Sequence, residues 1–380
     1  MSQKRSIFED IGAEKSEAPA TRATGVIDAG RRDARGAIRV WLAILFVLVF
    51  AMIAVGGLTR LTDSGLSITE WNPVSGALPP MNAADWETEF EKYRQIPQYE
   101  LLNKGMSLSE FKAIYWWEWG HRQLGRFVGL VWALGFFGFL LTRRIPAGWT
   151  PRLLGLGVLG GLQGAIGWWM VSSGLEGTML AVASYRLAIH LGLAFLILGL
   201  IAWYRMRLKR PERELMQARR GREQLMQGWA VALIGVAFLQ ILLGALVAGI
   251  DAGRNYTDWP LMAGAFTPPG MWDITPAWRN LFENDGTVQF FHRLVAYGLF
   301  VLALVTWFLS RRSALAATRR SFDWVAVGVF GQAVIGIVTV MHSSPLHIAL
   351  VHQLGAVIVW VLILRARFQT LYPSAQSVRG

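Results

Sequence analysis

His121, His190, His292 and His352 are the residues of this sequence best suited to chemistry, because they fall in two pairs with matching surroundings. Gly120-His121-Arg122-Gln123-Leu124 corresponds to Phe291-His292-Arg293-Leu294-Val295, and Ala188-Ile189-His190-Leu191-Gly192 to Leu350-Val351-His352-Gln353-Leu354-Gly355. One histidine in an apolar helix is ordinarily a hydrogen-bonded packing residue, whereas four at repeated positions point to a ligand set. The chain has no cysteine, which excludes disulfides, thiolate metal sites, iron–sulfur clusters and cysteine nucleophiles. Zinc or copper would want a regular third ligand, which neither pair has. Two opposed imidazoles without a thiolate suit haem iron, whose macrocycle fits between the apolar helices of a four-helix bundle.

The neighbours of these histidines suggest further roles. Arg122 and Arg293 directly follow two of them, and Arg126 comes one turn after Arg122. A guanidinium near the membrane surface can pair with a haem propionate, or simply snorkel to lipid headgroups. Glu118 lies three residues before His121 on the same helical face, while the corresponding position in the second pair is Gln289. A carboxylate there is costly unless it is paired, with Arg122 four residues on, or takes part in chemistry at the first site. The two sites are therefore expected to be unequal. His342 and His347 have no counterpart in the first half and read as structural or interfacial, although His347 is close enough to His352 to influence the second site.

The elements that must position these residues are membrane helices. Of 380 residues 53% are apolar and only 16% charged, with 40 Gly and 18 Trp, which excludes a disordered chain and an ordinary soluble enzyme. The net charge of +12 comes from short basic clusters between apolar runs, a pattern of membrane orientation and not of nucleic-acid binding. About 20 apolar residues cross the hydrocarbon layer, and eight such runs occur near 38–59, 117–142, 152–172, 183–204, 228–250, 289–310, 323–342 and 347–366. Arginine-rich connections around 31–39, 143–152, 205–222 and 311–320 place both termini in the cytoplasm. The first run is not expected to be a cleaved signal, and the acidic residues of the N-terminal tail argue against a mitochondrial presequence, which favours a bacterial inner membrane. All four histidines then lie toward the periplasmic ends of even-numbered spans.

The repeat extends beyond the histidines. Gly57-Leu58-Thr59-Arg60, Asp63-Ser64-Gly65, Trp71-Asn72-Pro73 and Gly76 to Pro80 recur as Gly244-Ala245-Leu246-Val247, Asp251-Ala252-Gly253, Asp258-Trp259-Pro260 and Gly264 to Pro269. Gly160 to Gly167 in span three similarly matches Gly331 to Gly336 in span seven. Four spans per unit give both units the same orientation, so the fold class is an all-α membrane protein of two parallel-repeat four-helix bundles. The expected division is a polar cytoplasmic tail (1–37), a first bundle (38–205) with an outer loop (60–116), a basic linker (206–227), a second bundle (228–368) and a cytoplasmic tail (369–380). In the outer loop, residues 81–116 read as two short amphipathic segments. Trp86, Phe90 and Tyr93 share one face of the first, and a Ser107-x-x-Glu110 capping box opens the second. The loop would cover the first site or anchor at the interface.

Over residues 38–366 the chain resembles the haem A synthases, membrane enzymes that convert haem O to haem A for cytochrome oxidases. The resemblance rests on Glu118-Trp119-Gly120-His121-Arg122-Gln123-Leu124-Gly125-Arg126, the Gly57 to Pro80 passage and the four duplicated histidines. It implies that His121 and His190 are axial ligands of the substrate haem, with Glu118 needed for the reaction, and that His292 and His352 hold a haem b that carries electrons. The implied reaction oxidises the C8 methyl of haem O to a formyl group, by successive hydroxylations and loss of water. Some members carry a cysteine pair in an outer loop; this chain lacks it, as does the alphaproteobacterial and mitochondrial branch. The partners implied are a haem O synthase, an electron donor and oxidase assembly factors, beside membrane lipid and further copies of the chain in a homo-oligomer. A dihaem b-type electron-transfer protein is the competing reading, and a transporter a more distant one, since no span pairs a central Pro/Gly break with midplane charges.

Overall fold

The computed structural model describes residues 34–177 and 179–374, so the expected tail over 1–33 and the last residues of the C-terminal tail lie outside the described residues. The chain runs through α1 (Arg35–Leu61), α2 (Ala83–Arg94), α3 (Pro97–Leu101), α4 (Leu108–Leu141), α5 (Thr150–Ser172) and α6 (Ser184–Leu208). It continues with α7 (Glu212–Arg220), α8 (Gln224–Gly249), α9 (Asn280–Glu283), α10 (Asp285–Ser310), α11 (Ala316–Met341) and α12 (Leu346–Leu371). The only β pairing among the described residues is an isolated bridge between Met262 and Ala265.

Eight of these helices, α1, α4, α5, α6, α8, α10, α11 and α12, are long and apolar enough to cross a membrane, and they coincide with the eight apolar runs. A helix of 26 residues, such as α8, α10, α11 or α12, is about 39 Å long and overreaches a hydrocarbon layer of about 30 Å. The ends therefore differ from the runs. The largest difference is at α4, which begins at Leu108 and not near residue 117. Ser107 and Glu110 form the expected capping box, yet it caps the spanning helix itself. With no Pro after it to break the ladder, the second amphipathic segment continues into the span.

Large apolar side chains such as Val47, Leu134, Val158 and Val327 point outward and are exposed, a surface suited to lipid and not to water. The inner side forms one continuous core. α6 packs on α1, α5 and α8, and α12 packs on α1, α6, α8 and α11, so the halves interlock through α1, α6, α8 and α12. A single buried cluster joins Leu42, Phe195, Leu198, Leu233, Trp360 and Ile363 across both. Trp360 Nε1 donates to the Phe195 carbonyl at 3.0 Å, and Arg60 of α1 reaches Asp251 beyond α8 at 2.6 Å. The segment expected as a basic linker contains α7, whose Leu215 is buried against Phe368, Leu371 and Tyr372.

Close helix approach depends on glycine at a few places. Trp41 of α1 donates from Nε1 to the Val131 carbonyl at 3.0 Å and occupies the space that a Cβ on Gly135 would need. Gly135→Ala must displace an indole held on two sides, and overpacking of this kind costs about 1–3 kcal/mol. The expected result is a lower midpoint in a thermal melt of the detergent-solubilised protein; an unchanged melt would show that α1 and α4 tolerate separation.

Outside the membrane, α2, α3 and the outer turns of α4 form a small aromatic core. Trp86, Phe90 and Tyr93 are buried, as their spacing predicts, and Phe90 stacks on Phe111 with ring centroids 4.9 Å apart. Tyr93 donates to Gln98 Oε1 at 3.0 Å and accepts from Asn103 Nδ2 at 2.7 Å. Burial pushes the Tyr93 hydroxyl above the usual tyrosine range, so it stays a neutral donor and acceptor in this cap.

Candidate functional site

Each of the four histidine rings rests against a glycine on the neighbouring helix. A Cβ built on Gly56 of α1 would come 3.0 Å from His121 Nε2 of α4, and one on Gly167 of α5 would come 2.9 Å from His190 Cε1 of α6. In the second half, a Cβ on Gly244 of α8 would lie 3.0 Å from His292 Cε1 of α10, and one on Gly336 of α11 would lie 2.9 Å from His352 Cε1 of α12. The contacts pair Gly244 with Gly56 and not with its neighbour Gly57, which the sequence match had put in register. Gly57 faces the other way, against the Gln353 side chain of α12, whose Nε2 donates to the Ile53 carbonyl at 2.7 Å.

Glutamines complete three of these four settings. Gln163 Nε2 donates to the His190 carbonyl at 3.0 Å and lies 3.2 Å from Nδ1 of the ring. Gln332 makes the same contacts with His352, at 2.8 Å and 3.2 Å, and Gln240 Nε2 lies 3.0 Å from His292 Nδ1. None of the three was singled out as a site residue. The signal that could have found them is a Gln four residues before three of the four ring-facing glycines, one turn away on the same helix face.

His292 and His352 face each other with ring centroids 6.4 Å apart and planes at 82°. Metal–nitrogen bonds of about 2 Å would make an imidazole–metal–imidazole unit of this length. Among the described residues no cluster of three or more His, Asp or Glu side chains could hold a metal ion. The donor set is thus two neutral nitrogens, as a bis-imidazole haem requires. The buried Oε1 atoms of Gln163, Gln240 and Gln332 have no partner among the described residues. An imidazole bound to metal through Nε2 carries its proton on Nδ1 and calls for an acceptor of this kind. The residues present fit haem.

Glu118 is 2% exposed. Its Oε2 accepts from Ser67 Oγ and from the Ile68 N–H, both at 2.8 Å, and its Oε1 accepts from Arg122 Nε at 3.1 Å. The expected pairing with Arg122 is present, together with two loop donors that sequence spacing gave no means of seeing. Gln289 takes the equivalent place in the second half, donating to the Ala252 carbonyl at 2.9 Å and accepting from Arg293 at 3.2 Å. Both residues hold the loop after the preceding span onto the histidine-bearing helix; only Glu118 brings a charge.

The three arginines named with the sites are engaged by loop carbonyls. Arg122 donates to Ile68 and Glu70, Arg126 to Asn72 and Pro73, and Arg293 to Tyr256, Asp258 and Leu261. Asp258 accepts from the Gly264 and Ala263 N–H groups, which hold its carboxyl below the usual range and close that loop. His342 is exposed and meets the Val338 carbonyl at 2.8 Å from Nδ1; His347, in the first turn of α12, is also exposed. Neither joins the histidine pairs by any contact among the described residues.

Fold and site together define a class: a multi-pass membrane protein that presents two pairs of imidazoles between its helices, one pair beside a buried carboxylate. Residues 39–364 match the family model described as cytochrome oxidase assembly protein. The chain is 66% identical to the heme A synthase of Dinoroseobacter shibae, over 100% of this chain and 99% of that protein. It is 64% identical to that of a Ruegeria species, over 99% of each chain, and 59% identical to that of Paracoccus denitrificans, again over 99% of each. The chain belongs to the cytochrome oxidase assembly protein family, in which these heme A synthases are its relatives.

Proposed function

We propose how this chain divides the work of a haem A synthase, the oxidation of haem O to haem A, between its halves. The substrate haem O binds between His121 and His190 in the first half, and a haem b binds between His292 and His352 in the second. The observation that carries this division is the pair of equivalent positions Glu118 and Gln289, alike in burial and in the loop they hold but different in charge. A haem b at the second site supplies one-electron transfer.

Glu118 accepts hydrogen bonds from Ser67, Ile68 and Arg122, and those donors hold its carboxylate in place. Its role is a fixed negative potential beside His121, stabilising positive charge on the substrate as its methyl group is oxidised, and not a proton relay. Arg122, Arg126 and Arg293 fix the loops over the sites and supply positive charge toward the haem propionates. The basic connections face the cytoplasm, as do both termini, so the two sites lie on the periplasmic side of a bacterial inner membrane. Haem O synthase, an electron donor, assembly factors and further copies of the chain are the partners of this scheme.

The helix pair flanking each site supports the same assignment. Phe300 of α10 and Phe330 of α11 come together with ring centroids 6.4 Å apart. Counted from His292 and Gln332, they correspond to Gly129 of α4 and Gly161 of α5, and a Cβ on either glycine would meet nothing within 4 Å. The first half has free space beside these glycines where the second carries two aromatic rings. Haem O carries a long isoprenoid chain that haem b lacks, and the open side can admit it.

The test is extraction and chromatographic identification of the haems from purified protein, alongside a reduced-minus-oxidised spectrum. Haem b together with haem O or haem A is expected; haem b alone would favour the dihaem electron-transfer reading. Gly161→Phe should lower retention of the tailed haem about 5- to 150-fold, the equivalent of the 1–3 kcal/mol cost of overpacking, and leave haem b unchanged. Equal loss of both haems would refute the open side as the basis of selectivity.

A further inference from the structure

Three of the four ring settings share a glutamine that the fourth lacks. Gln163, Gln240 and Gln332 each stand four residues before the ring-facing glycines Gly167, Gly244 and Gly336, and each places its amide against the ring. On α1 the residue four before Gly56 is Met52. Its Cε lies 3.8 Å from the point where a Cβ on Gly125 would stand, one turn after His121 on the same face of α4. Met52 therefore faces the helix side that carries His121. A thioether has no hydrogen to donate and accepts weakly, and no hydrogen bond to the His121 ring is present among the described residues.

We infer that Met52 makes His121 the releasable ligand of the first site, while the amides hold the other three imidazoles in place. The inference rests on the assignment of substrate haem to His121 and His190. An enzyme whose substrate and product are both haems must open one axial bond in each turnover, whereas a resident cofactor is best held on both faces. A neighbour that accepts the Nδ1 hydrogen fixes the orientation and raises the basicity of a ligating imidazole, and its loss commonly weakens metal binding about 10- to 100-fold; the unpartnered Oε1 atoms of Gln163, Gln240 and Gln332 offer that acceptor beside their rings. His190 is fixed through Gln163, both His292 and His352 are fixed through Gln240 and Gln332, and His121 alone has no amide beside its ring. Met52 acts as a positioning residue by omission, through the ring it fails to hold.

The experiment uses the full-length protein in detergent, loaded with haems during expression, and follows transfer of each haem to excess apomyoglobin. Tailed haem and haem b are separated by chromatography. Met52→Gln is expected to slow release of the tailed haem about 10- to 100-fold with haem b release unchanged, while Met52→Leu behaves as the parent. Gln240→Met is expected to speed haem b release by a similar factor and to let carbon monoxide bind the reduced second-site haem. Equal release of tailed haem from Met52→Gln, Met52→Leu and the parent would overturn the inference. Loss of tailed haem from His292→Ala with retention in His190→Ala would instead overturn the site assignment beneath it, a result separable from the first.

Discussion

Glu118→Gln is expected to abolish haem A formation, by at least about 100-fold, while the protein keeps its fold, its haem b and unconverted haem O. Glutamine keeps an oxygen for Ser67 Oγ and the Ile68 N–H, and it removes the charge together with the acceptor that faces Arg122. The second half already shows that an amide holds such a loop, through Gln289. Glu118→Ala should do more damage. It strands the buried Ile68 N–H and takes the carboxylate from Arg122, and breaking a buried pair of this kind costs about 3–5 kcal/mol. Loop 62–72 should then loosen and the tailed haem be lost with the activity. The measurement is the haem content and haem A output of both variants from one expression host. Full haem A output from Glu118→Gln would show that Glu118 serves only to hold the loop.

The second large effect concerns the histidine pairs. His352→Ala leaves His292 without the partner it faces at 6.4 Å, and the variant should lose haem b while retaining haem O that it does not convert. His190→Ala should do the reverse, keeping haem b with its unaltered reduced spectrum and losing the tailed haem. Both should reduce haem A formation by more than about 100-fold, since removal of a ligand exceeds the 10- to 100-fold effect of removing a ligand's neighbour. Extraction distinguishes the two variants where an activity assay cannot. Identical haem content in both would mean that the halves do not bind separate haems.

The membrane helices could be read along the chain before any packing was known. Eight apolar runs became eight long helices because crossing hydrocarbon requires local properties, length and apolarity, that can be read along the chain. The expected depth of one to two turns into the helix holds for His190, His292 and His352. His121 lies deeper in α4 only because its capping box begins the helix at Leu108. The imbalance between Glu118 and Gln289 needed no coordinates either.

What these residues touch depends on how the helices pack. Successive helical residues are rotated by about 100°, so a match displaced by one position faces a different neighbour. That is why Gly56 abuts His121 while Gly57 abuts Gln353 from the other half. Gln163 and Gln332 were visible as parts of a repeat, but their contacts with His190 and His352 depend on how α5 turns toward α6 and α11 toward α12. The two four-helix units share one core through α1, α6, α8 and α12. Apolar faces turned toward lipid and toward another helix have similar composition, and only packing tells them apart.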